Sequence, residues 1–385
     1  MAALAETAPR AAPVGRLWLA VLAGYLALGA TLQTLPALVA QRFHGGPFAT
    51  GLAVGIAFAA TAAVRPFAGR AGDSGLSRRT CVLGGALTAL GGLGQFLAPD
   101  LAVLLLARVV QGAGEAALFS AALPWVLAGT SGHGRGRVAG WFGLSMWSGL
   151  AAGPAIAAIA ERHWGQATVW YGVIAAGFLA AALVATTRGG APKHPTTKTI
   201  TLLPRGAGLP GLALGLAAFG YGTISSLLVL FLRGAHLGGD GIALAVFAVA
   251  FLITRAVGSP LVDRHGPVVV AVILAAVETA GLIVLAVAPD EVIGLLGTAL
   301  TGIGLGVVYP ATVALTLRRT GPSRSTTPGT AVGAMTSCWD LGIMLAGPIG
   351  GLLAAGPGYR TAFLAAALTA VLAGAAIGAA RRAQR

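Results

Sequence analysis

Short polar and charged gaps divide this chain of 385 residues into long apolar runs. A helix that spans a bilayer needs about 20 mostly apolar residues, and twelve runs reach that length. They lie near residues 17–40, 50–70, 80–98, 101–128, 137–160, 166–186, 207–232, 241–262, 267–288, 291–317, 328–355 and 358–380. The alternating strands of about ten residues that mark membrane β-barrels are absent from the sequence. The pattern predicts an all-α integral membrane protein with twelve transmembrane helices.

Composition agrees with a lipid environment. Apolar residues make up 56% of the chain and charged residues only 9%, whereas soluble domains carry roughly 25% charged residues. A chain with so little polar surface cannot cover itself in water, so lipid must be part of its solvent. Heavy use of Ala and Gly, with Arg far outnumbering Lys, is typical of a GC-rich bacterial genome.

The placement of basic residues predicts an orientation. If the N-terminus is cytoplasmic, 20 of the 25 lysines and arginines fall in cytoplasmic segments, four fall outside, and Arg108 lies within the fourth run. This asymmetry follows the positive-inside rule and predicts a multi-pass protein of the bacterial inner membrane with both termini cytoplasmic. The net charge of +14 is then a consequence of topology and lipid-headgroup contact, and nucleic acid is excluded as a partner.

A duplicated loop motif predicts two related halves. Arg65 precedes Asp73 by eight residues, and Arg255 precedes Asp263 by the same spacing, 190 residues later. Small residues fill both intervals, and each motif falls between two apolar runs. We therefore expect two pseudo-symmetric six-helix bundles. They span 17–186 and 207–380, with a cytoplasmic linker at 187–206 and tails at 1–16 and 381–385.

Three acidic residues lie inside predicted spans. They are Glu115, Glu278 and Asp340. A charge at mid-bilayer costs at least about 2.5 kcal/mol on insertion scales, so such residues are functional candidates. Arg108, Gln111 and Glu115 are spaced to share one face of the fourth helix. Glu115 is either a proton-coupling or substrate residue, or it forms a structural pair with Arg108.

The loop motifs resemble the signature of the major facilitator superfamily, which reads Gly-x-x-x-Asp-Arg-x-Gly-Arg-Arg/Lys between helices two and three. The first copy matches it through Gly69, Asp73, Arg78 and Arg79, with one extra residue and with Ser74 in place of Arg. The second copy keeps Asp263 and Arg264. Gly69 and Gly72 would let helices approach closely. Asp73 either latches one conformation through a helix N-terminus or belongs to a solvated turn.

Further motifs in the same order strengthen the resemblance. Arg108 and Gln111 fit the family's Arg-x-x-Gln-Gly pattern. Gly149, Gly153 and Pro154 resemble the Gly-x-x-x-Gly-Pro motif that is typical of drug/proton antiporters. The usual closing Gly-Gly is absent after Pro154, whereas the eleventh span has Gly347 and Pro348 followed by that ending. We expect these Gly-Pro elements to set a bend and a close helix crossing.

The resemblance implies where a central cavity would lie. The eleventh helix borders it in this superfamily, which makes Asp340 a candidate for coupling, although a hydrogen bond to a neighbouring helix would also explain it. The ninth helix is peripheral in such bundles, so Glu278 either forms a pair or stays protonated for packing, with a functional role as the alternative. The expected cavity residues are Gln33, Tyr221, Ser225, Tyr309, Trp125 and Trp147. For Trp125 and Trp147, the alternative to a place in the cavity is an interfacial belt or helix packing.

Taken together, the sequence predicts a proton-coupled secondary transporter that exports a small, partly hydrophobic organic compound, as multidrug-resistance efflux antiporters do. Glu115 and Asp340 would exchange protons while Arg108 tunes their charge. Uptake of a sugar, organic acid or amino-acid-like nutrient is the alternative, and a non-transporting sensor comes third.

The sequence contains no nucleotide loop, metal cluster or catalytic triad, so we expect no enzyme activity, cofactor or metal. The expected partners are substrate, protons and lipid, and the expected state is a monomer.

Overall fold

The computed structural model describes residues 13–128, 135–187, 189, 206–320 and 328–382, and most of them are helical. Most of the predicted tails and of the predicted linker lie outside these residues. A π-helical turn, Gly72–Leu76, joins the second helix to the third. The α-helices are α1 (Val14–Arg42), α2 (Pro47–Ala71), α3 (Ser77–Leu97), α4 (Leu101–Ala128), α5 (Arg135–Trp164), α6 (Gln166–Ala185), α7 (Gly208–Gly234), α8 (Ala243–His265), α9 (Pro267–Ala286), α10 (Glu291–Gly306), α11 (Val308–Thr320), α12 (Pro328–Ala355) and α13 (Tyr359–Arg382).

Ten stretches of the described chain are long and apolar enough to cross a membrane. One of them, Pro47–Leu97, is 51 residues long and contains both α2 and α3, while the shorter apolar stretch Ala243–Gly258 belongs to α8. Each of the twelve predicted runs coincides with one helix or, for the run at 291–317, with α10 and α11 together. The predicted all-helical membrane fold is confirmed.

The tenth span is interrupted between α10 and α11. The interruption lies at Val307, whose φ is −117°. Pro310 follows in the first turn of α11, where its missing N–H is not needed for the helix. A Cβ on Gly306 would lie 2.9 Å from the carbonyl oxygen of Phe251, so α10 approaches α8 closely just before the break.

The turn after α2 depends on glycine. Gly75 has φ of 84°, a left-handed conformation that glycine adopts without a Cβ clash. The Ser77 hydroxyl donates to the Gly72 carbonyl at 3.1 Å. A Cβ on Gly72 would lie 3.1 Å from the Ala121 carbonyl of α4, whereas a Cβ on Gly69 would meet nothing within 4 Å. The expected close helix approach is therefore present at Gly72 and wrong for Gly69.

Most helix contacts stay within the first half (α1–α6) or the second half (α7–α13). In the first half α1 packs on α5 and α6, and α4 packs on α2 and α3. In the second half α7 packs on α12 and α13, and α9 packs on α10 and α13. The main contacts between the halves are α2 with α12 and α5 with α8.

We call the end of the bundle where α2 begins and α12 finishes the outer end, and the opposite end the inner end. At the outer end, glycines bring the backbones of α2 and α12 into contact. A Cβ on Gly55 would lie 2.6 Å from the Met344 carbonyl, and one on Gly351 would lie 2.6 Å from the Phe48 Cα. These residues, with the opposed Gly51 and Gly347 between them, form the outer seam. Such close approach replaces hydrophobic packing in lipid.

The two Gly-Pro elements have different neighbours. A Cβ on Gly149 would lie 2.7 Å from the Leu22 carbonyl, and one on Gly153 would lie 2.6 Å from the Leu26 carbonyl. Both glycines thus face α1 within the first half. Gly347, by contrast, faces α2 of the other half. The Gly-Pro element of α5 therefore packs helices within the first half, whereas the equivalent element of α12 joins the two halves.

Candidate functional site

Two small cavities lie between the halves, each about the size of one water molecule. Trp147 and Leu150 of α5 line both cavities and separate them. The apolar cavity is lined mainly by Leu32, Pro154, Tyr221, Ser225, Phe247 and Phe251. The charged cavity is lined mainly by Tyr25, Thr61, Arg65, Glu115, Thr336 and Asp340.

An ion pair joins the halves beside the charged cavity. Arg65 of α2 donates through Nε to Oδ2 of Asp340 on α12, and its Nη2 donates to Oδ1 at 3.2 Å. The side chains are only 8% and 2% exposed. The guanidinium also lies over the Phe119 ring, 5.8 Å from its centroid. A two-point pair of this kind fixes both side chains and brings α2 and α12 together.

Glu115 of α4 faces the same cavity. The side chain is fully buried, and among the described residues neither carboxylate oxygen has a hydrogen-bond partner. Arg65 and Asp340 line the cavity with it. The centre of the molecule therefore holds one paired carboxyl group and one unpaired carboxyl group around a shared space.

Arg108 is bound away from Glu115. Its Nε donates to the Ala53 carbonyl of α2 at 2.9 Å, and its Nη1 donates to Oε1 of Gln111 at 2.7 Å. The Gln111 amide in turn donates to the Thr31 hydroxyl at 3.3 Å. Arg108 and Gln111 thus tie α4 to α2 and α1, and the arginine that holds Asp340 is Arg65. The prediction that Arg108 tunes the charge of Glu115 and Asp340 stays a prediction.

Trp147 is the centre of an aromatic cluster that crosses between the halves. Its ring centroid lies 4.9 Å from that of Trp339 and 5.4 Å from those of Phe251 and Tyr309. The Arg255 guanidinium lies 5.0 Å from the Trp147 centroid. The indole N–H is buried, and the described part of the chain offers it no acceptor. Trp147 therefore contacts three helices of the second half while belonging to the first.

Comparison with known proteins identifies the family. A model of the Major Facilitator Superfamily matches residues 17–209 and again residues 210–384. The chain belongs to the Major Facilitator Superfamily. It is therefore a multi-pass membrane protein and a secondary transporter of the MFS type, and proteins of this family are generally transporters rather than enzymes.

Similar proteins cover nearly the whole MFS chain. An uncharacterized MFS-type transporter of Salmonella typhimurium (strain LT2) is 31% identical over 374 residues, 94% of each chain. MFS-type transporters of Burkholderia mallei and Burkholderia pseudomallei are 30% identical over 362 residues, 90% of this chain and 86% of theirs.

Solved structures share the fold. A bacterial homolog of the human lysosomal transporter Spinster superposes with a TM-score of 0.74 at 16% identity, covering 96% of each chain. The nucleoside transporter NupG superposes with a TM-score of 0.73 at 13% identity, covering 95% of this chain and 99% of its own.

The expected cavity residues of this MFS transporter divide into three groups. Trp147, Tyr221 and Ser225 line the apolar cavity. Tyr309 contacts the Trp147 ring and forms a hydrogen bond of 3.1 Å with the Thr336 hydroxyl. Gln33 and Trp125 are buried in α1 and α4 and line neither cavity.

The loop-motif residues lie at the inner end of the MFS bundle. Asp73 is half-buried in the π-turn, and Arg78 and Arg79 are exposed. Arg78 donates to the Ala185 carbonyl at the end of α6, at 2.5 Å. Arg264 is exposed near the end of α8, and the Asp263 side chain lies outside the described part of the chain.

Glu278 is a third buried carboxyl group and lies away from both cavities. It is fully buried in α9, and neither carboxylate oxygen has a hydrogen-bond partner within the described ranges. Its backbone passes close to Gly304 of α10, and its carboxylate points at Gly220 of α7. Its surroundings are those of a packing position between three helices of the second half.

Sequence reasoning missed Arg65 and Arg255 as site residues. Both were counted with the cytoplasmic charges, yet they are only 8% and 6% exposed. A signal was present, since each arginine stands eight residues before the loop Asp of its motif. Eight residues of helix cover about 12 Å, which places both side chains well inside the bundle.

Among the described residues, His, Cys, Asp and Glu form no group of three that could hold a metal ion. The chemistry that the site offers is proton exchange at carboxyl groups and reversible ion pairing with a fixed guanidinium.

Proposed function

We propose that this MFS transporter is a proton-coupled exporter of a small, partly hydrophobic organic compound. It works by alternating access in the bacterial inner membrane, with both termini cytoplasmic. The observation that carries the proposal is Glu115, whose two carboxylate oxygens are buried without partners beside the Arg65–Asp340 ion pair.

Burial ties the charge of Glu115 to the conformation of the bundle. An ionised carboxylate without a partner in a dry interior costs several kcal/mol, so the packing around Glu115 accommodates its neutral form. When the halves separate, water reaches the carboxyl group and stabilises the ionised form. Protonation of Glu115 and the closed arrangement therefore favour each other.

Asp340 connects this proton to the contact between the halves. Glu115 and Asp340 line one cavity, so a proton can leave the Glu115 carboxyl group and bind Asp340, directly or through a water molecule. Asp340 becomes neutral, Glu115 becomes ionised, and Arg65 keeps its charge. The ion pair between α2 and α12 weakens, which lets the halves separate.

The apolar cavity supports the proposed substrate. Its lining is aliphatic and aromatic, with the Tyr221 and Ser225 hydroxyls as polar groups. Ligand sites of this composition bind compounds with apolar bodies and a few polar groups. At about the size of one water molecule it must expand to hold a substrate, as alternating access requires. Export is favoured because the Gly149–Pro154 motif resembles that of drug/proton antiporters.

Uptake of an organic acid is the second candidate. The observation that favours it is the two-point contact of the Arg65 guanidinium with a carboxylate. A guanidinium that binds the Asp340 carboxylate at two points can bind a substrate carboxylate in the same way. A substrate acid would then replace Asp340 once that residue is protonated.

The test starts with a toxicity panel in an efflux-deficient host, followed by proteoliposomes with an imposed pH gradient. We expect Glu115→Gln to abolish accumulation driven by the gradient while substrate exchange without a gradient continues. We expect Asp340→Asn to lower coupled transport as well. Glu278→Gln is the matched control, because it changes a buried carboxyl group away from both cavities, and it should keep coupled transport.

Undiminished coupled transport in both Glu115→Gln and Asp340→Asn would overturn the proposal. Growth of the host on a carboxylate nutrient, together with proton-driven accumulation of that nutrient, would favour uptake over export.

A further inference from the structure

Arg65 and Arg255 occupy equivalent places in the two halves. They are 190 residues apart, and each stands eight residues before the loop Asp of its motif. Arg65 lies on α2 and Arg255 on α8, the helices that contact the opposite half. Both arginines are buried, with exposures of 8% and 6%.

Each arginine reaches across to the other half. Arg65 binds Asp340 of α12, and the Arg255 guanidinium lies 5.0 Å from the ring centroid of Trp147 on α5. Asp340 stands eight residues before Pro348, and Trp147 stands seven residues before Pro154. The two contacts therefore fall at neighbouring positions of equivalent helices.

The chemistry of the two contacts differs. A carboxylate loses its charge when it binds a proton, so the Arg65–Asp340 contact responds to pH. An indole ring does not titrate, and its attraction for a guanidinium depends on the ring face and on the absence of water. Tyr309 adds a second ring to the same guanidinium, at 5.4 Å.

We infer that Arg255 and Trp147 form a second tether between the halves, one that does not respond to protons. The inference rests on the proposed function, because it takes Arg65–Asp340 as the proton-released tether. Arg255 is then a positioning residue of the transport cycle. Protonation of Asp340 releases one of two tethers, and the second sets how far a single proton shifts the balance between closed and separated halves.

The groups that face each tether define the pH experiment. Asp340 faces Arg65 of α2, Glu115 of α4 and Tyr25 of α1 around the charged cavity, and Cys338 lies two positions away on α12. Arg255 faces Trp147 of α5 and Tyr309 of α11. The ordinary pKa values of Tyr, Cys and Arg lie above 8, so the carboxyl groups of Asp340 and Glu115 are the members of this set whose charge we expect to follow the pH.

The separation of the halves can be measured without a substrate. Spin labels are placed at Leu76→Cys in the first half and His265→Cys in the second, both exposed at the inner end. The native cysteines are replaced by Cys81→Ala and Cys338→Ala. Double electron–electron resonance in lipid nanodiscs then gives the distribution of distances between the two labels, and from it the population with separated inner ends at each pH.

Because Glu115 is already neutral in the closed arrangement, the proton taken up as the pH falls binds Asp340, and we expect the separated population of the parent to increase. Arg255→Gln should raise that population by about fivefold at every pH and leave its pH dependence in place. Asp340→Asn should raise it and flatten the pH dependence. The effects of the two substitutions should multiply in the double variant, since the tethers act independently.

Substitutions of Trp147 separate the tether from mere packing. Trp147→Phe keeps a ring face and should behave like the parent, whereas Trp147→Ala should behave like Arg255→Gln. Arg255→Lys keeps the cation and should restore most of the closed population. Thermal unfolding of each variant checks that the fold is intact.

An unchanged population in Arg255→Gln at every pH would overturn the second tether, and so would loss of the pH dependence in that variant. Failure of the proposed function has a different signature. The parent would then show no pH dependence and Glu115→Gln would keep coupled transport, while the effect of Arg255→Gln could still be read at one pH.

Discussion

Arg65 and Asp340 stand 275 residues apart in the chain and form a two-point ion pair across the contact between α2 and α12. Among the described residues, the Asp340 carboxylate accepts its hydrogen bonds from Arg65 of the other half. The pair therefore exists only while the halves are together at this depth, so its strength is part of the free energy of the closed arrangement.

Removing one charge of this pair should destabilise the protein. Asp340→Leu leaves the Arg65 guanidinium buried without its carboxylate, which costs about 3–5 kcal/mol. The double variant Arg65→Met/Asp340→Leu removes both charges and should recover at least half of that loss. Unfolding can be followed through Cys81, a buried thiol that becomes reactive as the fold opens.

The exposed pair of Arg233 and Asp240 is the control. Its Nε to Oδ2 distance is 2.5 Å, but the side chains are 43% and 29% exposed, and surface pairs contribute about 0–1 kcal/mol. Arg233→Gln should therefore change stability far less than Asp340→Leu. Equal losses of stability in the two variants would contradict the prediction that the buried pair contributes more to stability than the exposed pair.

Glu115→Gln should leave stability almost unchanged. The amide copies the shape of the neutral carboxyl group that the packing accommodates, so we expect a change below about 1 kcal/mol. Glu115→Lys forces a charge into the same space and should cost several kcal/mol. Thermal unfolding of both variants in detergent checks this, and strong destabilisation by glutamine would mean that the site holds an ionised carboxylate.

Arg108→Lys should weaken the fold and spare the coupling. Lysine cannot reproduce the fork that binds the Ala53 carbonyl and Gln111, and hydrogen bonds to charged groups contribute about 1.5–3 kcal/mol each. We expect a lower midpoint of unfolding with an unchanged number of protons per substrate. A changed proton stoichiometry in proteoliposomes would return Arg108 to the coupling site.

Adding a methyl group to the outer seam should hold the outer end open. Gly51→Ala or Gly347→Ala places a Cβ against opposing backbone, which cannot yield as a side-chain tip can. Spin labels at Trp164→Cys and Val292→Cys, which are 69% and 72% exposed at the outer end, should report a greater separation. Gly69→Ala adds a methyl group in open space and should leave the distance unchanged.

Hydropathy predicted the helices well because each apolar run is long enough to cross a bilayer. The runs say nothing about which helix faces which, so the contact of α2 with α12 could not be read from them. The break at Val307 was missed for a related reason, since Pro310 was taken as part of a continuous apolar run. A sum of side-chain hydropathies does not show where the helical backbone is interrupted.

The candidate site was predicted in part. Glu115 and Asp340 stood out as charges within apolar runs, and both line the charged cavity. Arg108 was chosen as their partner because it shares a helix face with Glu115, a relation that sequence spacing shows. The charge count assigns Arg65 to a cytoplasmic segment although it falls within the predicted run at 50–70, because helix ends are uncertain by a few residues. The pairing of residues from different halves has no local signature in the sequence.

The interruption at Val307 gives the second half a point at which its tenth span can bend. On one side, α10 is clamped to α9 through Gly304 and the backbone of Glu278. On the other, the short helix α11 carries Tyr309, which touches both Trp147 and the Arg255 guanidinium. The inner helix α11 also packs on α9, α12 and α7 of its own half. We therefore expect α11 to change its angle to α10 when Trp147 moves away during the cycle, so that the second half bends at Val307 as well as rotating as a block.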